Sequence, residues 1–166
     1  YIQRTANWLD YLGATPKQSV IIPKLEYPQS EILLYGIWQL GAVAVIKANL
    51  NHEKIANQLD EPMFISNKIN LFNEIKKFPE EHNPKYKPNL SEEALLTFET
   101  GNGIKLSHYN LLVNANSIQK ALNIKSRTKI YCNLEPNTSA WAVFKAILPI
   151  YSGCIFDKDN PDLSLN

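Results

Sequence analysis

The chain has 166 residues, of which 45% are hydrophobic and 20% are charged, so it can bury one sizeable core and predicts a single globular domain. A formal net charge of +1 provides no strong electrostatic field, which argues against a nucleic-acid surface. The longest apolar run, residues 32–46, is interrupted by polar residues and glycines and is too short to cross a membrane. Cys132 and Cys154 stand in apolar segments without metal-ligand spacing, which favours reduced core residues and a cytoplasmic location.

Apolar spacing and turn residues predict that helices and strands alternate along the first half of the chain. The segment 79–90 is polar and contains three prolines, so it is predicted to be an exposed and mobile connection. Before it, in chain order, the predicted elements are a helix over 2–12, a strand over 19–22, a helix from Pro28 to Gly41, a strand over 42–46, a helix over 52–59, a strand over 63–66 and a helix over 69–78.

The second half continues the alternation up to a polar tail, residues 160–166, which is predicted to fray. Near-continuously apolar strands joined by helices predict an α/β fold, a doubly wound and mainly parallel sheet with helices on both faces. The predicted elements are a strand over 94–98, a short glycine turn, a helix over 108–122 capped by Ser107, a strand over 129–134, a helix over 139–148 and a strand over 154–157.

The glycine turn between the strand 94–98 and the capped helix is the most informative part of the chain. Thr100 and Gly101 could hydrogen-bond phosphate oxygens there, and Lys105 could add a charge-assisted contact. The same residues also suit a tight connection between a strand and a helix, without any ligand. Neither G-x-x-x-x-G-K-[ST] nor G-x-G-x-x-G is present, so the pattern alone leaves both interpretations open.

Other reactive side chains near the turn have simpler explanations. His108 follows the cap and is expected to pack beside it, and His82 lies in a polar segment with no metal-ligand spacing. Glu99 stands at the carboxyl end of a predicted strand, where ligands bind in open α/β sheets, but its charge would repel a phosphate unless a metal ion intervened. Trp38 and Trp141 fall in apolar helices and are predicted to pack in the core.

Three segments resemble the N-terminal part of the adenylate-forming (AMP-binding) superfamily, which includes acyl-CoA synthetases and acyl-AMP ligases. Residues 35–45 (YGIWQLGAVAV) are similar to the family's A-x-x-x-A-G-A-V-x-V-P segment, and residues 147–153 (ILPIYSG) to its L-L-P-L-x-x-G segment. Most specific are residues 96–112 (LTFETGNGIKLSHYNLL), which resemble the phosphate-loop block F-T-[ST]-G-[ST]-T-G-x-P-K-G-V-x-x-[ST]-H-x-N-L.

The resemblance implies a nucleotide site in the turn. Several residues of the family's loop, including its Pro-Lys pair, have no counterpart here. The family's aromatic-histidine segment, which lines the acyl pocket, would fall at Asn137 and Thr138, where neither residue type occurs. Carried over by position and combined with the lysine noted above, the predicted cofactor-binding residues are Thr97, Thr100, Gly101, Asn102, Gly103 and Lys105.

By resemblance, the function expected is that of an ATP-dependent ligase that forms an acyl-adenylate from a carboxylic acid, with ATP and Mg as cofactors and CoA or a carrier protein as acceptor. Residues 1–166 would form a single, incomplete N-terminal domain that is not catalytically competent alone. The short turn has two explanations: a true deletion, or flexible residues missing from the sequence as given. The alternatives are a non-catalytic pseudoenzyme or interaction module, which binds the remainder of its own domain or another subunit, and an unrelated doubly wound nucleotide-binding protein.

Overall fold

The computed structural model describes residues 1–47, 55, 57–98 and 102–165. Their helices are α1 (Ile2–Tyr11), α2 (Gln29–Leu40), α3 (Leu71–Ile75), α4 (His108–Ala121), α5 (Ser139–Trp141) and α6 (Leu148–Ser152), with a π-helical segment Ala142–Ile147 that joins α5 to α6. Their strands are β1 (Ser19–Ile21), β2 (Val43–Ile46), β3 (Met63–Phe64), β4 (Glu93–Thr97), β5 (Ile104–Ser107), β6 (Lys129–Cys132), β7 (Ile155–Phe156) and β8 (Leu163–Leu165).

The strands form two sheets. The first has the order β3-β1-β2-β4-β5, and all its neighbours are parallel except β4 and β5. The second has the order β7-β6-β8 and is parallel throughout. The predicted α/β class with a mainly parallel sheet is therefore confirmed, although the strands are divided between two sheets. Most of the predicted helix over 52–59 lies outside the described residues.

The first sheet is buried on both faces. Val20, Ala44 and Leu95 point to the larger core cluster, which includes apolar residues of α1 and α2. Ile21, alternating with Val20 along β1, belongs to a second cluster that also contains the fully buried Ile55. Because successive side chains of a strand point to opposite faces, this division explains why the strand sequences are apolar at nearly every position.

The glycine turn does not lead directly into a helix, so that prediction is wrong. Residues Ile104–Ser107 instead form β5, which pairs antiparallel with β4 and sets Lys105 opposite Leu96. Apolar and polar residues alternate over these four positions, which is the period of a strand, but the helix cap that follows masked this short signal. At the candidate site the chain therefore forms a hairpin, and not a direct connection from strand to helix.

The polar tail is also more ordered than predicted. Leu163–Leu165 form β8, which pairs in parallel with β6 through Cys132 and Leu165. This three-residue edge strand pairs with residues 33 positions earlier in the chain, and local composition does not reveal such a pairing.

The predicted cap of α4 is confirmed in detail. The hydroxyl of Ser107 accepts a hydrogen bond from the backbone N–H of Asn110 at 3.1 Å, and Oδ1 of Asn110 accepts one from the backbone N–H of Ser107 at 3.0 Å. This reciprocal capping box satisfies two donors at the helix N-terminus. It fixes the point at which the chain leaves β5 and turns into α4.

The connection after α3 is hydrogen-bonded to the polar face of α1. The side-chain amide of Asn7 donates to the carbonyls of Pro79 at 3.0 Å and Glu81 at 2.9 Å, and Nζ of Lys85 lies 3.1 Å from Oδ1 of Asp10. The mobility of the segment 79–90 stays a prediction, but these contacts oppose it over residues 79–85.

The attachment of this segment is expected to depend on pH through His82. Because the Asn7 amide nitrogen donates to two carbonyls, its oxygen accepts from Nδ1 of His82 at 2.7 Å, which leaves the buried Nε2 without a partner. Burial lowers the pKa of His82 below its ordinary value of 6.5; the charge of Asp10 opposes this shift and that of Lys85 reinforces it. Protonation of the His82 ring would create a charged N–H donor at Nε2 that has no hydrogen-bond acceptor.

We therefore expect the free energy of unfolding to decrease as the pH falls from 7.5 through 6.5 towards 5. A group whose pKa is lowered in the folded state binds more protons in the unfolded state. Lowering the pH therefore favours unfolding. Urea unfolding at several pH values measures the effect. His82→Asn keeps a donor to Asn7 and should make the free energy of unfolding less dependent on pH. Burial also lowers the pKa of His108, so the contribution of that histidine to the pH dependence should remain. An unchanged slope in this variant would contradict the assignment.

Candidate functional site

The carboxyl ends of the parallel strands β1 to β4 lie along one edge of the first sheet. At this edge Ile46 pairs with Thr97, and the carbonyl of Ile46 accepts a hydrogen bond from the backbone N–H of Phe98 at 3.0 Å. The connection 98–103 between β4 and β5 therefore begins beside Lys47, the residue that follows β2. Open parallel sheets bind ligands at this edge, which makes it the candidate site.

The predicted phosphate-binding residues are only partly brought together. Thr97 is in β4 with 2% of its surface exposed, whereas Asn102 and Gly103 are exposed at the end of the connection. A β-carbon on Gly103 would lie 3.1 Å from the ring of Phe98, so this glycine allows close packing against that ring. The remaining predicted residues, Thr100 and Gly101, lie outside the described residues, as does Glu99.

Lys105 is directed away from this edge. Its ammonium lies 3.0 Å from the carboxylate of Glu93, at the opposite end of β4. Both side chains line a cavity of about 580 Å³, which also reaches Ser19 and Val43 at the amino ends of β1 and β2. Since Thr97 is buried and Lys105 is held by Glu93, the described residues of the hairpin do not by themselves form a grip for the phosphates of ATP.

His108 packs beside the cap of α4, as expected. Its half-buried ring contacts the edge of Trp38, with 5.7 Å between the ring centroids. Nε1 of Trp38 in turn donates to the carbonyl of Ala94 at 2.8 Å, which links α2 to β4. These contacts explain the position of His108 by packing between α4 and α2.

A second cavity, of about 530 Å³, opens at the carboxyl edge itself. It is bordered by the residues that end or follow β1, β2 and β3 and, from the second sheet, by the segment after β6. Its apolar lining consists of Ile21, Ile22, Pro23, Phe64, Ile65 and Pro136. Its polar lining consists of Lys24, Lys47, Ser66, Asn67, Glu135 and Asn137.

An ion pair joins the two sheets across this carboxyl-edge cavity. Nζ of Lys24 lies 2.6 Å from Oε1 of Glu135, and the two side chains are 67% and 51% exposed. Asn137, at the position where the resemblance places the family's acyl-pocket segment, lines the same cavity. Neither Lys24 nor Lys47 was predicted to lie here, although Lys47, which directly follows the buried strand β2, could have been placed at the carboxyl edge.

Other features of the described residues limit the chemistry. Within the described ranges, no three histidine, cysteine or acidic side chains come together in a way that could hold a metal ion. Cys132 and Cys154 are free thiols, and burial raises the pKa of Cys132, as suits a core residue. No helix in the part of the chain that the structure describes is long and apolar enough to cross a membrane.

Comparison of the fold with solved structures identifies its class. This chain superposes on the inhibitor-bound N-terminal domain of FACL13 from Mycobacterium tuberculosis with a TM-score of 0.76 and 15% sequence identity. The superposition covers 99% of this chain and 48% of that chain. Similar agreement is found with McyG A-PCP complexed with phenylalanyl-adenylate (TM-score 0.75, 17% identity, 99% of this chain and 30% of that chain). The Mycobacterium tuberculosis fatty acyl CoA synthetase agrees with a TM-score of 0.74 at 16% identity, over 99% of this chain and 37% of that chain.

This chain has the fold of the N-terminal part of adenylate-forming enzymes, as the sequence resemblance predicted. It spans less than half the length of these three solved chains. No protein family matched the sequence, and no curated protein did.

Proposed function

We propose that this chain is the N-terminal portion of the scaffold of an ATP-dependent acyl-activating ligase. The main support is the fold shared with adenylate-forming enzymes. It is joined by the sequence of the connection between β4 and β5, which resembles the family's phosphate loop and precedes the Ser107-capped helix. In the reaction of such ligases a carboxylate displaces pyrophosphate from Mg-ATP to form an acyl-adenylate, and CoA or a carrier protein then accepts the acyl group. This chemistry depends mainly on positioning and charge neutralisation.

The chain by itself is proposed to lack this activity. Its hairpin offers no described lysine at the carboxyl edge, because Lys105 is paired with Glu93. The family's Pro-Lys pair is absent from the sequence between Asn102 and Lys105. ATP and Mg would therefore bind productively only when further residues complete the site. The free thiols support a reducing compartment such as the cytoplasm.

Isothermal titration of Mg-ATP tests this proposal. We expect no saturable binding by the chain as it stands, and measurable binding by a variant whose loop is extended between Asn102 and Gly103 to the family's length, with a Pro-Lys pair. An insertion of equal length made only of glycine and serine is the matched control, since it restores length without the lysine. Tight binding by the unmodified chain would refute the idea that the missing residues matter.

A second candidate function, that of an interaction module, is favoured by an exposed apolar face on α4 and α6. Tyr109 and Leu112 on α4 are 58% and 37% exposed, and Ile150 and Tyr151 on α6 are 66% and 44% exposed. The hydroxyl of Tyr151 lies 3.3 Å from Oδ1 of Asn116, which places the two helices side by side. Such a face is typical of a surface that another protein covers.

The remainder of an adenylate-forming domain or a second subunit is the partner proposed for this face. Light scattering at several concentrations tests it, because self-association or binding of a separately expressed C-terminal portion would support an interaction role. A chain that stays monomeric at every concentration and does not bind the C-terminal portion would count against the interaction role.

A further inference from the structure

We propose that a small cavity beside the start of α2 binds a neutral polyol of the size of a monosaccharide, with the side-chain amide of Gln29 as a fixed donor to one of its hydroxyl oxygens. The cavity, of about 310 Å³, lies where the segment 24–29, which leads from β1 into α2, faces the segment 67–70, which leads from β3 into α3. The connection between β4 and β5 contributes none of its described residues to the lining. The inference therefore goes beyond the proposed function and requires no nucleotide.

The side chain of Gln29 is the observation that carries the proposal. Gln29 is 5% exposed, and its Oε1 accepts a hydrogen bond from the backbone N–H of Leu71 at 2.6 Å. Because the partner at Leu71 is a donor, the other end of the amide is the NH2 group. Among the described residues nothing accepts a hydrogen bond from this Nε2, and Gln29 lines the cavity. Burial and the bond to Leu71 hold the donor in place, so a ligand oxygen gains a hydrogen bond without the cost of ordering this side chain.

The charges at the cavity favour a ligand without net charge. Lys68 and Glu26 line it from the two facing segments, and neither belongs to an ion pair among the described residues. Lys24, the other charged lining residue, already has the carboxylate of Glu135 at 2.6 Å. An anion would be attracted by Lys68 and repelled by Glu26, and a cation would experience the reverse, so neither sign of charge is preferred.

A polyol matches this mixture of donors and acceptors. Each hydroxyl group both donates and accepts, so neighbouring hydroxyls can accept from the Gln29 amide and the Lys68 ammonium and donate to the Glu26 carboxylate. Leu25 and Ile69 are half-buried and line the same space, so the C–H face of a sugar ring would cover apolar surface there. The volume is at the lower end of the range of small-molecule sites, which suits a single ring.

Titration of the 15N-labelled chain with glucose tests the proposal, because the side-chain NH2 group of Gln29 has its own signals in the spectrum. We expect saturable shift changes at these signals and at the backbone signals of residues 24–27 and 67–70. Glucosamine, glucuronate and glycine carry a positive charge, a negative charge and both charges, and each should bind more weakly than glucose.

Two variants separate the donors. Gln29→Glu keeps an oxygen for the N–H of Leu71 but presents an acceptor to the cavity in place of the donor, and it should weaken glucose binding at least tenfold. Lys68→Met changes an exposed residue and leaves the buried amide intact, so it should weaken binding about threefold without altering urea unfolding. Lys125→Met, at an exposed lysine beyond α4, is the matched control and should change neither property.

The proposal is overturned if glucose does not shift the side-chain signals of Gln29, or if any of the three charged compounds binds more tightly than glucose. It is also overturned if Lys68→Met binds glucose as tightly as the parent chain does, a result that does not depend on the folding of the Gln29 variant. The Mg-ATP titration of the loop-extended variant is separate, so the polyol site and the ligase proposal can each fail without the other.

Discussion

Replacing Gly36 with alanine is expected to lower the free energy of unfolding by about 2–3 kcal/mol, although alanine favours a helix over glycine by about 1 kcal/mol. Gly36 lies where α2 crosses α1, and a β-carbon there would be 2.4 Å from Cγ2 and 2.6 Å from Cβ of the fully buried Thr5. These separations are shorter than any van der Waals contact, so the two helices would have to move apart. Urea unfolding measures the loss.

Gly13 supplies the control for this prediction. It has a φ of +90° with nothing within 4 Å of an added β-carbon, so Gly13→Ala tests backbone strain without a clash and should cost about 1 kcal/mol. The double variant Thr5→Ala/Gly36→Ala removes Cγ2 but not Cβ and should recover part of the stability lost by Gly36→Ala. A single Gly36→Ala variant as stable as the parent would mean that α1 and α2 do not pack this closely.

We expect Trp141→Phe to lower the free energy of unfolding by about 3 kcal/mol, because it leaves a buried carboxylate without its donor. Trp141 is fully buried, and its Nε1 donates to Oε1 of Glu31 at 2.9 Å. Glu31 is 8% exposed and its other oxygen, Oε2, has no hydrogen-bond partner. The indole is therefore the donor on which this buried group depends. Thermal and urea unfolding both measure the change.

Trp38→Phe is the matched control, because its Nε1 donates to a neutral carbonyl, that of Ala94, and the loss should be about 1 kcal/mol. Glu31→Gln combined with Trp141→Phe should be more stable than Trp141→Phe alone, since a neutral amide costs less to bury than a carboxylate. Equal losses in the two tryptophan variants would contradict the role given to the charge of Glu31.

Local sequence signals account for most of the helices and strands. Gly41 was predicted to end α2 and does so with a φ of +81°, a conformation that glycine adopts without strain. Ser107 was predicted to cap α4, and its hydrogen bonds are made within three residues of the chain. Such signals can be recognised in a sequence because all the interacting groups are near one another in it.

The candidate site could be predicted only in part. The resemblance assigns a nucleotide to the connection between β4 and β5, and this assignment stays a prediction. Lys105 was expected beside the phosphates, but its antiparallel register opposite Leu96 directs it to Glu93 instead. The carboxyl-edge cavity was not predicted at all, because Lys24, Lys47 and Glu135 are far apart in the sequence.

The amino-acid sequence by itself determined the alternation of helices and strands, the caps and the α/β class, because apolar period and turn chemistry act over a few residues. Only the tertiary structure decided the direction of β5, the pairing of β8 and the assembly of the cavity between the two sheets. These features depend on which distant segments pair, and the free energy of that pairing comes from contacts that no local pattern records.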